Sequence, residues 1–67
     1  MITIGDNLKN KRLQLRLSQL VLAQQLNVRV NTVANWEHRR SIPDICRLPK
    51  IIEFLGYDPL ETGRKAD

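Results

Sequence analysis

Apolar residues along the chain fall into four series separated by polar turns. The first opens at Asp6-Asn7 and runs to about Leu15, with Leu8 and Leu15 one seven-residue step apart and Leu13 beside them, a helical pattern. Ile4 stands just ahead, placed to staple the helix entry. Ser18 is a good N-cap for a second helix, whose inner stripe is Leu22, Ala23 and Leu26. The third pattern carries Val30, Val33 and Trp36 and ends near His38, and HRRSIP at 38–43 reads as a loop closed by Pro43. Ile45, Leu48, Ile52 and Leu55, spaced by 3, 4 and 3, make the fourth series. Pro49 lies inside it, and proline is comfortable only in a first turn, so the regular helix is expected to start between about Ile45 and Leu48. Gly56 is a natural stop, and Asp58-Pro59 prevents continuation. No stretch reads as a credible strand, and the predicted fold class is all-α.

The segment LNVRVNTVANWE (26–37) breaks this regularity, because its apolar residues alternate at 26, 28 and 30 and then step by three to 33 and 36. A helix ending at about Leu26, a tight turn and a new helix from about Arg29 explain both periods. So sharp a change of direction needs a residue with positive φ just past the helix end, where asparagine is the most tolerant residue after glycine. Asn27 stands in that slot, Val28 drops inward from the turn, and Ala23 is small where the two helices cross.

Composition narrows the function. Sixty-seven residues, 42% hydrophobic and 27% charged, suit one small globular unit with too little core for a large cleft. The basic residues are concentrated: residues 1–42 hold seven against two acidic ones, and 43–67 hold four against five. That asymmetry suits a polyanion such as nucleic acid, although charge alone is matched equally well by an ordinary solvated surface. Cys46 is the single cysteine and His38 the single histidine, so a structural zinc and an internal disulfide are not expected, and a reducing compartment is. No apolar run is long enough to span a membrane, and MITIGDNLKNKR lacks the apolar core of a signal peptide. With no glycine-rich phosphate loop and no paired acidic dyad, an enzyme is the weakest class.

The span Gln19 to Val33, followed by Trp36-Glu37, resembles the helix-turn-helix of the xenobiotic-response-element (XRE) family, the Cro and lambda-repressor-like DNA-binding domains. Gln19, Ala23, Asn27, Val33, Trp36 and Glu37 stand at the family's motif positions, with Arg12 upstream and Pro43 and IIEFLGYDP (51–59) downstream. The resemblance covers roughly residues 4–59 and implies a four- to five-helix domain over residues 1–60, with a polar tail at 61–67 expected to fray. Three departures stand out: Asn27 replaces the commoner glycine, Arg29 sits where Ser or Thr usually caps helix three, and HRR replaces a glycine soon after Trp36-Glu37.

The resemblance also implies the contacts. In helix-turn-helix proteins the second helix of the pair enters the major groove, its N-terminal residues meeting base edges. With Val33 and Trp36 facing the core, rotation along the helix puts Val30, Asn31, Ala34 and Asn35 outward or on the flank, matching the family's base-reading positions. Asparagine pairs most naturally with adenine, and Val30 and Ala34 suit thymine methyl groups. Gln19, Arg29, Arg39 and Arg40 are the expected phosphate contacts, with guanine an alternative for Arg29, while Lys9, Lys11 and Arg16 add field. Arg12 matches the family arginine that pairs with the glutamate ending helix three, here Glu37. Arg12, Ala23, Asn27, Val33, Trp36 and Glu37 therefore have structural assignments. Cys46 is expected to pack as a small apolar residue, and His38 to be solvated.

Together these point to a sequence-specific DNA-binding transcriptional regulator, a repressor of the Cro-like kind, in the cytoplasm of a bacterium or on a phage or bacterial nucleoid. The expected partner is double-stranded DNA with a palindromic or pseudo-palindromic operator; no cofactor, metal or membrane partner is expected. The competing reading is an antitoxin that binds a protein partner and regulates its own operon. A homodimer, formed either free or only on DNA, is expected through Ile51, Phe54, Tyr57 and Leu60, unless Phe54 and Tyr57 simply complete the monomer core.

Overall fold

A computed structural model describes residues 3–59 of the chain, so the expected tail and Leu60 lie outside the described residues. Four α-helices and one short 3-10 turn follow in order: α1 (Ile4–Gln14), α2 (Gln19–Leu26), α3 (Val30–Glu37), the 3-10 turn Ile45–Arg47, and α4 (Leu48–Leu55). Among the described residues there is no strand. Helix α3 packs against both α2 and α1, and α4 closes the bundle against the same two helices.

Helix α1 begins two residues earlier than the apolar spacing indicated. Thr3 is its N-cap: the Thr3 hydroxyl accepts from the Asp6 N–H and the Asp6 carboxylate accepts from the Thr3 N–H, each at 3.0 Å. This reciprocal capping box satisfies two donors that a helix start otherwise leaves free. Ile4 therefore sits in the first turn and packs against the core rather than stapling the helix from outside. Leu13 and Leu15, expected on the inner face, are about half exposed. The inner face is instead Gly5, Leu8 and Arg12, a three-then-four spacing in which only one member is apolar.

Helices α2 and α3 follow the expected pattern closely. The Ser18 hydroxyl accepts from the Val21 N–H, and Leu22, Ala23 and Leu26 are buried beside Val33 and Trp36. Asn27 has φ 60 and ψ 45, the left-handed conformation the corner requires, and Val28 packs partly against the core. Its N–H donates to the Gln24 carbonyl and that of Val28 to the Ala23 carbonyl, which closes the helix end with two bonds. The same loop ends α1 around Arg16 (φ 59) and α3 around Arg39 (φ 62). Arginine thus takes a backbone conformation usually given to glycine, including the position after Trp36-Glu37 where the family glycine was missed.

The phase of α4 differs from the sequence reading. Ile51 and Leu55 are the fully buried pair; Leu48 and Ile52 are half-buried, and Ile45 is 78% exposed. Ile45 falls in the tighter 3-10 turn, so the step from Ile45 to Leu48 does not continue the face of the helix that follows. Pro49 occupies the first turn of α4, and Gly56 ends it with φ 85. Cys46 lies on the same turn and is exposed, not packed. Ile51 and half-buried Phe54 belong to the monomer's own interior, while exposed Tyr57 donates its hydroxyl to the Asn7 side-chain oxygen at 2.6 Å.

Candidate nucleic-acid interface

Glu37, the last residue of α3, anchors that helix to the rest of the molecule. Its side chain is 2% exposed and that of Arg12 is 12% exposed. The Arg12 Nε donates to Oε2 at 2.8 Å, and Arg12 Nη2 and Gln19 Nε2 donate to Oε1 at 3.0 Å. The remaining Arg12 nitrogen, Nη1, donates to the Leu17 carbonyl at 2.9 Å. One carboxylate and one guanidinium therefore tie together α1, the α1–α2 corner, the start of α2 and the end of α3. Burial by itself pushes the Glu37 carboxyl up, but the bonds from Arg12 and Gln19 outweigh it and hold the group below its ordinary value. Such bidentate, charge-assisted pairing fixes orientation as well as proximity.

Gly5 completes the clamp, and no spacing argument had singled it out. A side chain there would run into the Trp36 carbonyl, so only glycine lets α1 lie against the end of α3.

With Val33, Trp36 and Glu37 held inside, the opposite side of α3 is open. Arg29, Val30 and Asn31 are exposed, and Thr32, Ala34 and Asn35 are half-buried. Val30 and Ala34, and likewise Asn31 and Asn35, are one helical turn apart and stack into two parallel rows. Neither asparagine amide is bonded to another described residue, so its donors and acceptors are left unspent by the protein. Arg29 is the N-cap of α3, and no side chain caps that end; a guanidinium has no acceptor to offer the first-turn N–H groups.

The basic residues expected around this helix divide into two kinds. Arg40 is exposed and follows the end of α3. Arg39 lies next to it, but its guanidinium is engaged by the Asp6 carboxylate, with Nη2 at 2.7 Å from Oδ2. The hydrogen bond from Arg39, with that from the Thr3 N–H, holds the Asp6 carboxyl below its ordinary value. Gln19 spends one amide hydrogen on Glu37 and keeps a second. Arg47 was not singled out from the sequence, yet it lines a shallow groove with Asn27, Val28, Arg29 and Thr32 at the start of α3. Only the 3-10 turn brings it there, and that turn left no periodic signal. Among the described residues no group of three or more His, Cys, Asp or Glu side chains is arranged to hold a metal, and no helix is long and apolar enough to cross a membrane.

An α2 that buries Leu22, Ala23 and Leu26 against an α3 showing its polar face to solvent is the architecture of a DNA-binding helix-turn-helix unit. A family model described as helix-turn-helix matches residues 8–61, and the chain belongs to that XRE-type family of DNA-binding regulators. No curated protein and no solved structure matches it.

Proposed function

We propose that the protein is a sequence-specific transcriptional regulator, a repressor, that lays α3 in the major groove of its operator. The observation that carries this reading is α3 itself: clamped through Glu37, it presents two asparagines with unspent amides between basic residues at both of its ends. Asn31 and Asn35 read adenines by bidentate pairs, each worth about 1–3 kcal/mol of discrimination. Val30 and Ala34 pack on thymine methyl groups. Gln19, Arg29 and Arg40 hold phosphates, and Arg39 adds field, reaching a phosphate only by releasing Asp6. Selection of bound duplexes from a random pool tests this. Wild type should enrich one motif, and Asn31→Ala and Asn35→Ala should each lose preference at one adenine. Enrichment of nothing by wild type refutes sequence-specific regulation, and an unchanged motif in both variants refutes the assigned readers.

An eight-residue recognition helix touches few base pairs, so we further propose that two copies bind a palindromic site. Ile51 and Phe54 are taken up by the monomer's own core, and among the described residues the large apolar side chains left most open are Ile42 and Ile45, 75% and 78% exposed. They line an apolar groove with Ile4, Pro43 and Leu48. A two-fold pairing sets such a patch against itself, which is how an isologous interface is built. Sedimentation of the protein, free and on a palindromic duplex, should show two copies per duplex, and Ile45→Lys should leave one. A monomer under both conditions removes the dimer, and stable capture of a different protein chain on this groove would favour the antitoxin reading.

A further inference from the structure

Arg47 ends the 3-10 turn Ile45–Arg47, where its N–H donates to the Asp44 carbonyl at 2.9 Å. That tight turn carries its side chain back to the α2–α3 corner, some twenty residues away in sequence, and into the groove it shares with Arg29. Both arginines are exposed. Neither guanidinium has a hydrogen bond or ion pair with another described residue, and no carboxylate lines the groove. Two like charges facing one opening repel each other and gain nothing from the protein, whereas an anion in that opening is attracted by both. The groove abuts the N-terminal end of α3, the end that a helix-turn-helix points at the bases, so the polyanion passing it is the DNA backbone.

We propose that Arg47 is a DNA-contacting residue supplied from outside the helix-turn-helix, and that Arg47 and Arg29 each take a phosphate on the flank at the start of α3. The inference rests on α3 being the DNA-reading helix. Arg40 lies past the other end of that helix, and eight residues span about 12 Å. Phosphate anchors at both ends fix the register in which Asn31 and Asn35 meet the base pairs, while carrying no sequence information themselves.

The test is equilibrium binding to the selected duplex between 50 and 200 mM salt, with Arg47→Gln and, as a charge-matched control, Lys50→Gln on the neighbouring turn of α4. Thermal melting should be unchanged in both, since each side chain is exposed. Arg47→Gln should lower the log–log salt slope by about 0.9, so that the affinity ratio of wild type to variant shrinks about 3.5-fold across that range. The weakening should be equal on duplexes altered at any single base pair, and Lys50→Gln should keep the wild-type slope. An Arg47→Gln slope equal to wild type overturns the assignment, as does an equal drop in Lys50→Gln, which would make the effect one of net charge. Failure of the wild-type protein to bind any duplex overturns the DNA reading and this inference together, and is told apart by needing no variant.

Discussion

Replacing Glu37 by glutamine keeps the shape of the side chain and removes its charge, which isolates what the clamp at the end of α3 contributes. Three donors converge on the two carboxylate oxygens: Arg12 Nε, Arg12 Nη2 and Gln19 Nε2. An amide offers one acceptor oxygen and turns an NH2 group toward at least one of those donors. The Arg12 guanidinium is meanwhile left with 12% exposure and no counter-charge. Breaking a buried pair by removing one partner costs about 3–5 kcal/mol. A domain of this size has little stability in reserve, and each kcal/mol lowers the melting temperature by roughly 4–8 °C. Glu37→Gln should therefore melt at least about 12 °C below wild type, followed by circular dichroism and checked by urea titration. Arg12→Met should lose a similar amount, and the double variant Arg12→Met with Glu37→Leu should recover part of both losses, because the stranded charge is then gone. A Glu37→Gln protein within about 1 kcal/mol of wild type, the upper end for exposed ion pairs, would show that the clamp contributes no more than a solvated ion pair.

The same carboxylate sets a pH dependence. Its folded-state value lies below its ordinary value of 4.5, so its contribution is fully present above pH 4.5 and is lost as pH falls through the lowered value; acid titration of the melting temperature should show a loss below pH 4.5 that is smaller in Glu37→Gln. Gly5→Ala places a methyl group against the Trp36 carbonyl, and only a shift of backbone against backbone relieves it. The variant should be destabilised by about 1–3 kcal/mol or more, as for other overpacked sites, and calorimetry showing wild-type stability would mean that α1 can move off α3 freely.

The parts of this fold that could be read from the chain are those where an inner face is apolar throughout and a cap has a distinctive residue. Helix α2 meets both conditions and α3 the first: Leu22, Ala23, Leu26, Val33 and Trp36 fill the core, while Ser18 starts α2 and Asn27 ends it at the corner from which α3 sets out. Helix α1 fails the first condition, because its inner face is Gly5, Leu8 and Arg12. A hydrophobic pattern therefore favours the exposed Leu13 and Leu15 instead. In α4 the change from 3-10 to α geometry shifts the face by enough to bury Ile51 and release Ile45. The outward position of Asn31 and Asn35 follows from rotation around α3 alone. The partner of Arg12, by contrast, is twenty-five residues away and was suggested by family resemblance, not by period. Arg47 reaches the start of α3 through tertiary structure that no local pattern encodes.

Arginine recurs in this chain where the backbone would choose otherwise: Arg16 and Arg39 adopt positive φ, and Arg29 holds an N-cap without capping. Arg39 gains Asp6 in return; nothing in the structure explains Arg16. Arg29 is the sharpest case, because serine in its place would accept from the first-turn N–H groups of α3 and stabilise that helix by about 1 kcal/mol. If the guanidinium is kept for DNA, Arg29→Ser should change stability and binding in opposite directions. The melting temperature should rise by roughly 4–8 °C while the salt slope on the selected duplex falls by about 0.9. A guanine contact by Arg29 would add a loss of preference at one base pair, whereas a phosphate contact weakens all duplexes alike. If Arg29→Ser melts higher and binds as tightly as wild type, the arginine serves neither the helix nor the groove, and the argument from unspent charge fails for Arg47 as well.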